Sequence, residues 1–141
     1  MTLRFEAWRH AARSADLTGV KEGVVSLATP ADANTLFSRF SQQWQRCDGQ
    51  ELLLPDPVLR LKARISSVQV APPVLAATLS ITFAGASIPA GRAIGVRDNC
   101  LVEVEVDYFN ASRASVQELS TIKATSVRIA QIMMDKVSEL N

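Results

Sequence analysis

Three stretches of strict two-residue alternation limit what this chain can fold into. Leu59, Leu61, Ala63 and Ile65 alternate with Arg60, Lys62, Arg64 and Ser66. Leu75, Ala77, Leu79, Ile81 and Phe83 alternate with Ala76, Thr78, Ser80 and Thr82, and Cys100, Val102, Val104, Val106 and Tyr108 with Leu101, Glu103, Glu105 and Asp107. Successive strand side chains point to opposite faces, so one apolar and one polar phase predict antiparallel strands covered on one side. The phase slips at Ser66-Ser67, ahead of Val68 and Val70, which predicts a bulge. Ala71-Pro72-Pro73 turns the chain between the first two strands, and Asp98-Asn99 suits a tight hairpin joining Ala93–Val96 to Cys100–Tyr108.

Two segments carry the helical period instead. A strand over Glu22–Ala28 leads into Thr29-Pro30-Ala31-Asp32, where Thr29 can cap free N–H groups, Pro30 loses nothing by lacking its own, and Asp32 suits the positive helix end. Ala33, Leu36, Phe37, Phe40, Trp44 and Cys47 then fall on one helical face, with Gly49 placed to end the helix. The last helix runs from Val116 or Thr121 to Leu140, its stripe formed by Ile122, Ile129, Met133, Val137 and Leu140 with Val127, Ala130, Ile132 and Met134 beside it. Residues 1–20, with Trp8 and His10, show no clean period and are expected to form an N-terminal arm or short helix. No repeat or linker divides the chain, so residues 1–141 read as one domain. The expected fold is α+β and two-layered, an antiparallel β-sheet with helices on one face, one of them a long C-terminal helix.

Composition excludes several function classes. With 15 Lys+Arg against 14 Asp+Glu the net charge is +1, which lacks the basic excess of a nucleic-acid reader. No apolar run is long enough to span a bilayer, and residues 1–20 lack the apolar core of a secretory signal. One His and two Cys cannot assemble the usual zinc sets, and no EF-hand spacing occurs, so neither a metal nor another cofactor is expected. His10 lies far from any patterned nucleophile, no Ser stands in a G-x-S-x-G elbow, and no C-x-x-C is present.

Cys47 on the helical stripe and Cys100 on the apolar strand phase both read as pointing into the helix–sheet layer. Two buried free thiols and a disulfide joining helix to sheet both fit that placement. Glu103 and Glu105, with Asp107 next in line, could share a site as paired carboxylates, or form ion pairs with Arg60, Lys62 and Arg64 across a solvated face. In the functional version, that face is a cleft wall on which Arg60 or Arg64 holds an anionic group.

Glu22-Gly-Val-Val-Ser-Leu-Ala-Thr-Pro-Ala-Asp-Ala33, followed by Phe40, Trp44-Gln-Arg-Cys47 and Gly49, resembles the strand, helix and W-x-x-C segment of PknH-like extracellular sensor domains. Gly91-Arg-Ala-Ile-Gly-Val-Arg-Asp-Asn99 running into Leu101–Val106, and Val127-Arg-Ile-Ala-Gln-Ile132 with Lys136-Val137, are similar to the same family in the same order. Such domains occur at the outer end of a mycobacterial transmembrane Ser/Thr kinase and as envelope lipoproteins. Members typically carry two disulfides, the W-x-x-C cysteine pairing with one close before the Arg-Ala dipeptide. Here Gly91 precedes Arg92, and the remaining thiol is Cys100. The export context that the resemblance implies favours a Cys47–Cys100 disulfide.

The resemblance further implies a non-catalytic extracytoplasmic sensor of the cell envelope, with a cleft for a small ligand and a membrane anchor or lipoprotein signal outside this sequence. Arg60, Arg64, Arg92, Glu103 and Glu105 are the candidate ligand-binding residues. The alternatives are an envelope protein-interaction module, pairing through a sheet edge or the methionine-bearing helix, and a small cone-shaped α+β enzyme with an enclosed pocket.

Overall fold

The computed structural model describes residues 1–8, 19–55, 58, 60–108 and 116–140; His10 and Leu59 lie outside these. In chain order the elements are β1 (Thr2–Trp8), β2 (Gly19–Ser26), α1 (Pro30–Cys47), β3 (Glu51–Leu53), β4 (Lys62–Ala71), β5 (Val74–Phe83), β6 (Ala86–Arg97), β7 (Cys100–Asp107) and α2 (Val116–Leu140). The strands form one seven-stranded antiparallel sheet in the order β1-β2-β7-β6-β5-β4-β3. The α+β class, the antiparallel sheet and the long C-terminal helix are as the strand alternation and the helical period predict. The segment expected to be an arm or short helix instead supplies β1, an edge strand paired to β2.

Local chemistry sets the boundaries. Thr29 Oγ1 accepts the Asp32 N–H at 3.1 Å and donates to the Asp32 carboxylate at 2.7 Å, closing the first turn of α1. The expected bulge falls between Ser66 and Gln69, where Ser67 takes φ 53°. Asp98 (φ 52°) turns β6 into β7, and Ala84-Gly85, at φ 48° and 80°, turns β5 into β6. Both central positions of that second hairpin are left-handed, a geometry that favours Asn-Gly.

The helices pack on opposite faces of the sheet, which corrects the expected two-layer arrangement. Paired residues of an antiparallel ladder share a face, so the register assigns each side chain to a side. One face carries Leu75, Ala77, Leu79, Ala90, Ile94, Val96, Leu101 and Ile65 beneath Ala33, Phe37 and Trp44 of α1. The other carries Val20, Val74, Ala76, Ala93, Val102, Val104 and Val106 beneath Ala130 and Met134 of α2. The apolar phase of β5 therefore faces α1, whereas the equally apolar phase of β7 faces α2. Both are correct strand readings, but they point to opposite sides.

Small residues set how close α2 lies. Gly91, Ala93 and Gly95 alternate along β6 on the α2 side, and a Cβ at Gly91 would stand 2.5 Å from the Ile122 carbonyl oxygen. The fully buried line of α2 is Ile122, Ser126, Ala130 and Met134, whereas Ile132 and Leu140 of the expected stripe are exposed. Ser126 satisfies its own hydroxyl by donating to the Lys123 carbonyl at 2.7 Å. Arg97 and Asp135 (3.7 Å) and Lys123 on the Ser67 carbonyl (3.2 Å) tie the helix to the sheet at its edges.

Candidate functional site

Alpha-helix α1 lies over β4, β6 and β7, and between its C-terminal half and the sheet runs a groove of about 540 Å³. That volume is within the range of small-molecule sites. Its walls are Phe40, Trp44 and Cys47 from α1, Leu52, Leu54 and Leu61 around β3, and Ala63, Ile65, Leu79 and Ile81 from the sheet. The Trp44-Gln-Arg-Cys47 segment contributes both of its signature residues to this wall, because positions three apart on a helix share a face.

Charge converges at the sheet end of the groove. Register places Arg92 of β6 and Lys21 of β2 on either side of Glu105 of β7, all on the α1 face. Arg92 leans diagonally to bind Glu103, and its guanidinium carbon lies 5.6 Å from the centre of the Trp44 ring. This cation–π stacking orders Arg92 from above while Glu103 holds it from the side. Lys21 Nζ lies 2.6 Å from Glu105 Oε1 and 3.3 Å from Asp107 Oδ2. Burial, and then the Glu105 charge, push the Asp107 carboxyl above its ordinary value, with Lys21 opposing them. Burial acts to lower the Lys21 value, but its hydrogen bond to Glu105 and the charges of Glu105 and Asp107 prevail and raise it.

The structure brings Arg92, Glu103 and Glu105 together and leaves the other two candidates elsewhere. Arg64 is opposite Ser80 on the α2 side of the sheet, and Arg60 is exposed ahead of β4. The expected ion pairing of Arg60, Lys62 and Arg64 with the Glu103–Glu105 face therefore does not form; Lys62 instead pairs with Glu51 at 2.9 Å. Thr78, Ser80 and Thr82 also face the α2 side, Thr78 buried there and Ser80 sharing a 2.6 Å hydroxyl contact with Ser87. Lys21 escapes sequence reading because a single lysine between Val20 and Glu22 carries no pattern; only the β2–β7 register reveals it.

Cys47 and Cys100 are both free thiols. Cys47 packs with the α1 cluster, whereas Cys100 shares its strand phase with Val102, Val104 and Val106 on the α2 side. The sheet separates them, so the expected disulfide does not form and the W-x-x-C cysteine serves as groove wall. Among the described residues no cluster of His, Cys, Asp and Glu could hold a metal ion, and no helix is long and apolar enough to cross a membrane.

None of the curated proteins matches this chain. Among solved structures, the crystal structure of the extracellular domain of PknH from Mycobacterium tuberculosis superposes with a TM-score of 0.75 at 18% identity, over 97% of this chain. The chain spans 64% of the length of that domain, and at this identity the likeness is one of fold. The family model of the PknH-like extracellular domain matches residues 2–136, which takes in α1, all but the last turn of α2, the strands β1 to β7 and the groove's charged residues. By that match over nearly its whole length, the chain belongs to the PknH-like extracellular domain family.

Proposed function

We propose that this chain is a non-catalytic, extracytoplasmic sensor domain of the bacterial envelope, and that it binds an amphiphilic small molecule in the groove beneath α1. Family membership supports the sensor role and the placement outside the cytoplasm. The observation that carries the binding claim is the groove itself, with a long apolar wall closed at one end by the Lys21, Arg92, Glu103 and Glu105 cluster. An apolar body lies along Leu61, Ile65 and Ile81, and a polar head reaches the ionic end. The carboxylates there are engaged by Lys21 and Arg92, an arrangement suited to recognition and poorly suited to proton transfer. Arg92 is occupied by Glu103, and with Asp107 behind Lys21 three carboxylates (Glu103, Glu105 and Asp107) face two cations at this end, so an uncharged or cationic head fits better than an anionic one. Arg60 and Arg64 have no part in this site.

The test is calorimetric titration with octyl glucoside, octylamine and octanoate below their micellar concentrations. One saturable site is expected for the first two, with octanoate weakest, and binding is lost in Ile81→Trp, which fills the groove from a half-buried position. No saturable binding by any of the three, or binding that Ile81→Trp leaves intact, rejects the groove.

A further inference from the structure

The edge strand β1 carries information that the groove does not use. Residues 1–7 are all exposed, with Leu3 at 64% and Phe5 at 63% of their full accessibility. β1 pairs with β2 in unbroken register from Thr2 opposite Ser26 to Trp8 opposite Val20, with no proline and no bulge. The opposite edge, β3, is only three residues long. Short edge strands resist edge-to-edge pairing, whereas a straight edge of seven residues offers its outer backbone groups as a template. We infer that β1 is the seam of a two-fold symmetric dimer, pairing antiparallel with β1 of a second copy.

The residues of β1 specify one register. With the two-fold axis through Phe5, Arg4 of each copy lies opposite Glu6 of the other, Leu3 lies opposite Ala7, and Phe5 meets Phe5. Those pairs respect the sheet faces, since Leu3, Phe5 and Ala7 share one side and Arg4 and Glu6 the other. Moving the axis to Arg4 sets Arg4 against Arg4, and moving it to Glu6 sets Glu6 against Glu6. Like charges directly opposite are unfavourable, so of these three central registers only the Phe5 one is self-complementary. Within one copy Glu6 is already opposite Glu22, and neither has an ion pair among the described residues. Arg4 of a second copy supplies the missing cation.

Sedimentation equilibrium up to millimolar concentration tests this. The wild-type chain is expected to dimerise reversibly, and more weakly as salt rises. Arg4→Glu, which makes both symmetric pairs repulsive, should raise the dissociation constant about tenfold or more, and Arg4→Glu combined with Glu6→Arg should restore it. Both positions are exposed, so circular dichroism should show all variants folded. A wild-type chain that stays monomeric throughout, an Arg4→Glu variant that dimerises as before, or a charge swap that restores nothing overturns the inference.

Discussion

Replacing Gly91 or Gly95 by alanine separates two contacts that look alike in sequence. Each glycine lies on β6 beneath α2, and neither has a left-handed backbone, so alanine is tolerated by the chain itself at both. At Gly91 the new Cβ would stand 2.5 Å from the Ile122 carbonyl oxygen and 2.8 Å from its carbon, both backbone atoms of α2. Ordinary contact requires roughly 1 Å more, and only retreat of the helix can supply it. That places the cost at the upper end of overpacking, about 3 kcal/mol, offset by roughly 0.4–1 kcal/mol from the stiffer unfolded chain. At Gly95 the nearest atom is the Met134 sulfur at 2.6 Å, which swings away about its own torsions. Gly95→Ala should therefore fall within about 1 kcal/mol of wild type. In urea denaturation, Gly91→Ala is expected to lower the midpoint by about 1 M at unchanged slope, with Gly95→Ala close to the parent curve. Equal stability of Gly91→Ala and wild type, or a larger loss at Gly95, would refute the seating of α2 on β6.

Three further outcomes follow. Ala84→Asn should stabilise the β5–β6 hairpin by about 1 kcal/mol, because Ala84 holds φ 48° beside Gly85 at 80°; an unchanged melting temperature contradicts that turn. Thiol titration of the denatured, unreduced protein should find both Cys47 and Cys100 free, and serine at both should leave stability unaffected by oxidant; an intramolecular bridge would place the helices on one face after all. The raised Asp107 carboxyl makes its ionised form costly in the folded state, so its contribution to stability declines as pH rises from 3.8 through the raised folded value. Asp107→Asn should thus gain on wild type over that interval, and an opposite or flat difference in urea midpoints rejects the assignment.

How far sequence reaches is clearest in the strands. Alternation located β4, β5 and β7, and capping chemistry at Thr29-Pro30 placed the start of α1, because each is decided by residues close together in the chain. Which side an apolar phase faces depends on register with a neighbour, and two strands of equal pattern can point apart, as β5 and β7 do. That one ambiguity produced both the one-sided helix placement and the cysteine pairing. The contact line of α2 was hidden for a different reason: Ser126 and Ala130 are buried because they are small, and smallness leaves no hydrophobic stripe. At the site, Arg92, Glu103 and Glu105 could be named from sequence, but their partners Lys21 and Trp44 are assembled by strand order and helix placement alone.

The groove beneath α1 can be tested most directly through methyl groups, since side chains of one strand report on opposite faces. Methyl-selective NMR titration with octyl glucoside should shift Ala63, Ile65, Leu79 and Ile81, which line the groove. Ala76, Ala93 and Val102, on the α2 side, should stay in place. Saturable shifts confined to the first set are the result predicted; shifts centred on the second set, or none that saturate, contradict the ligand site.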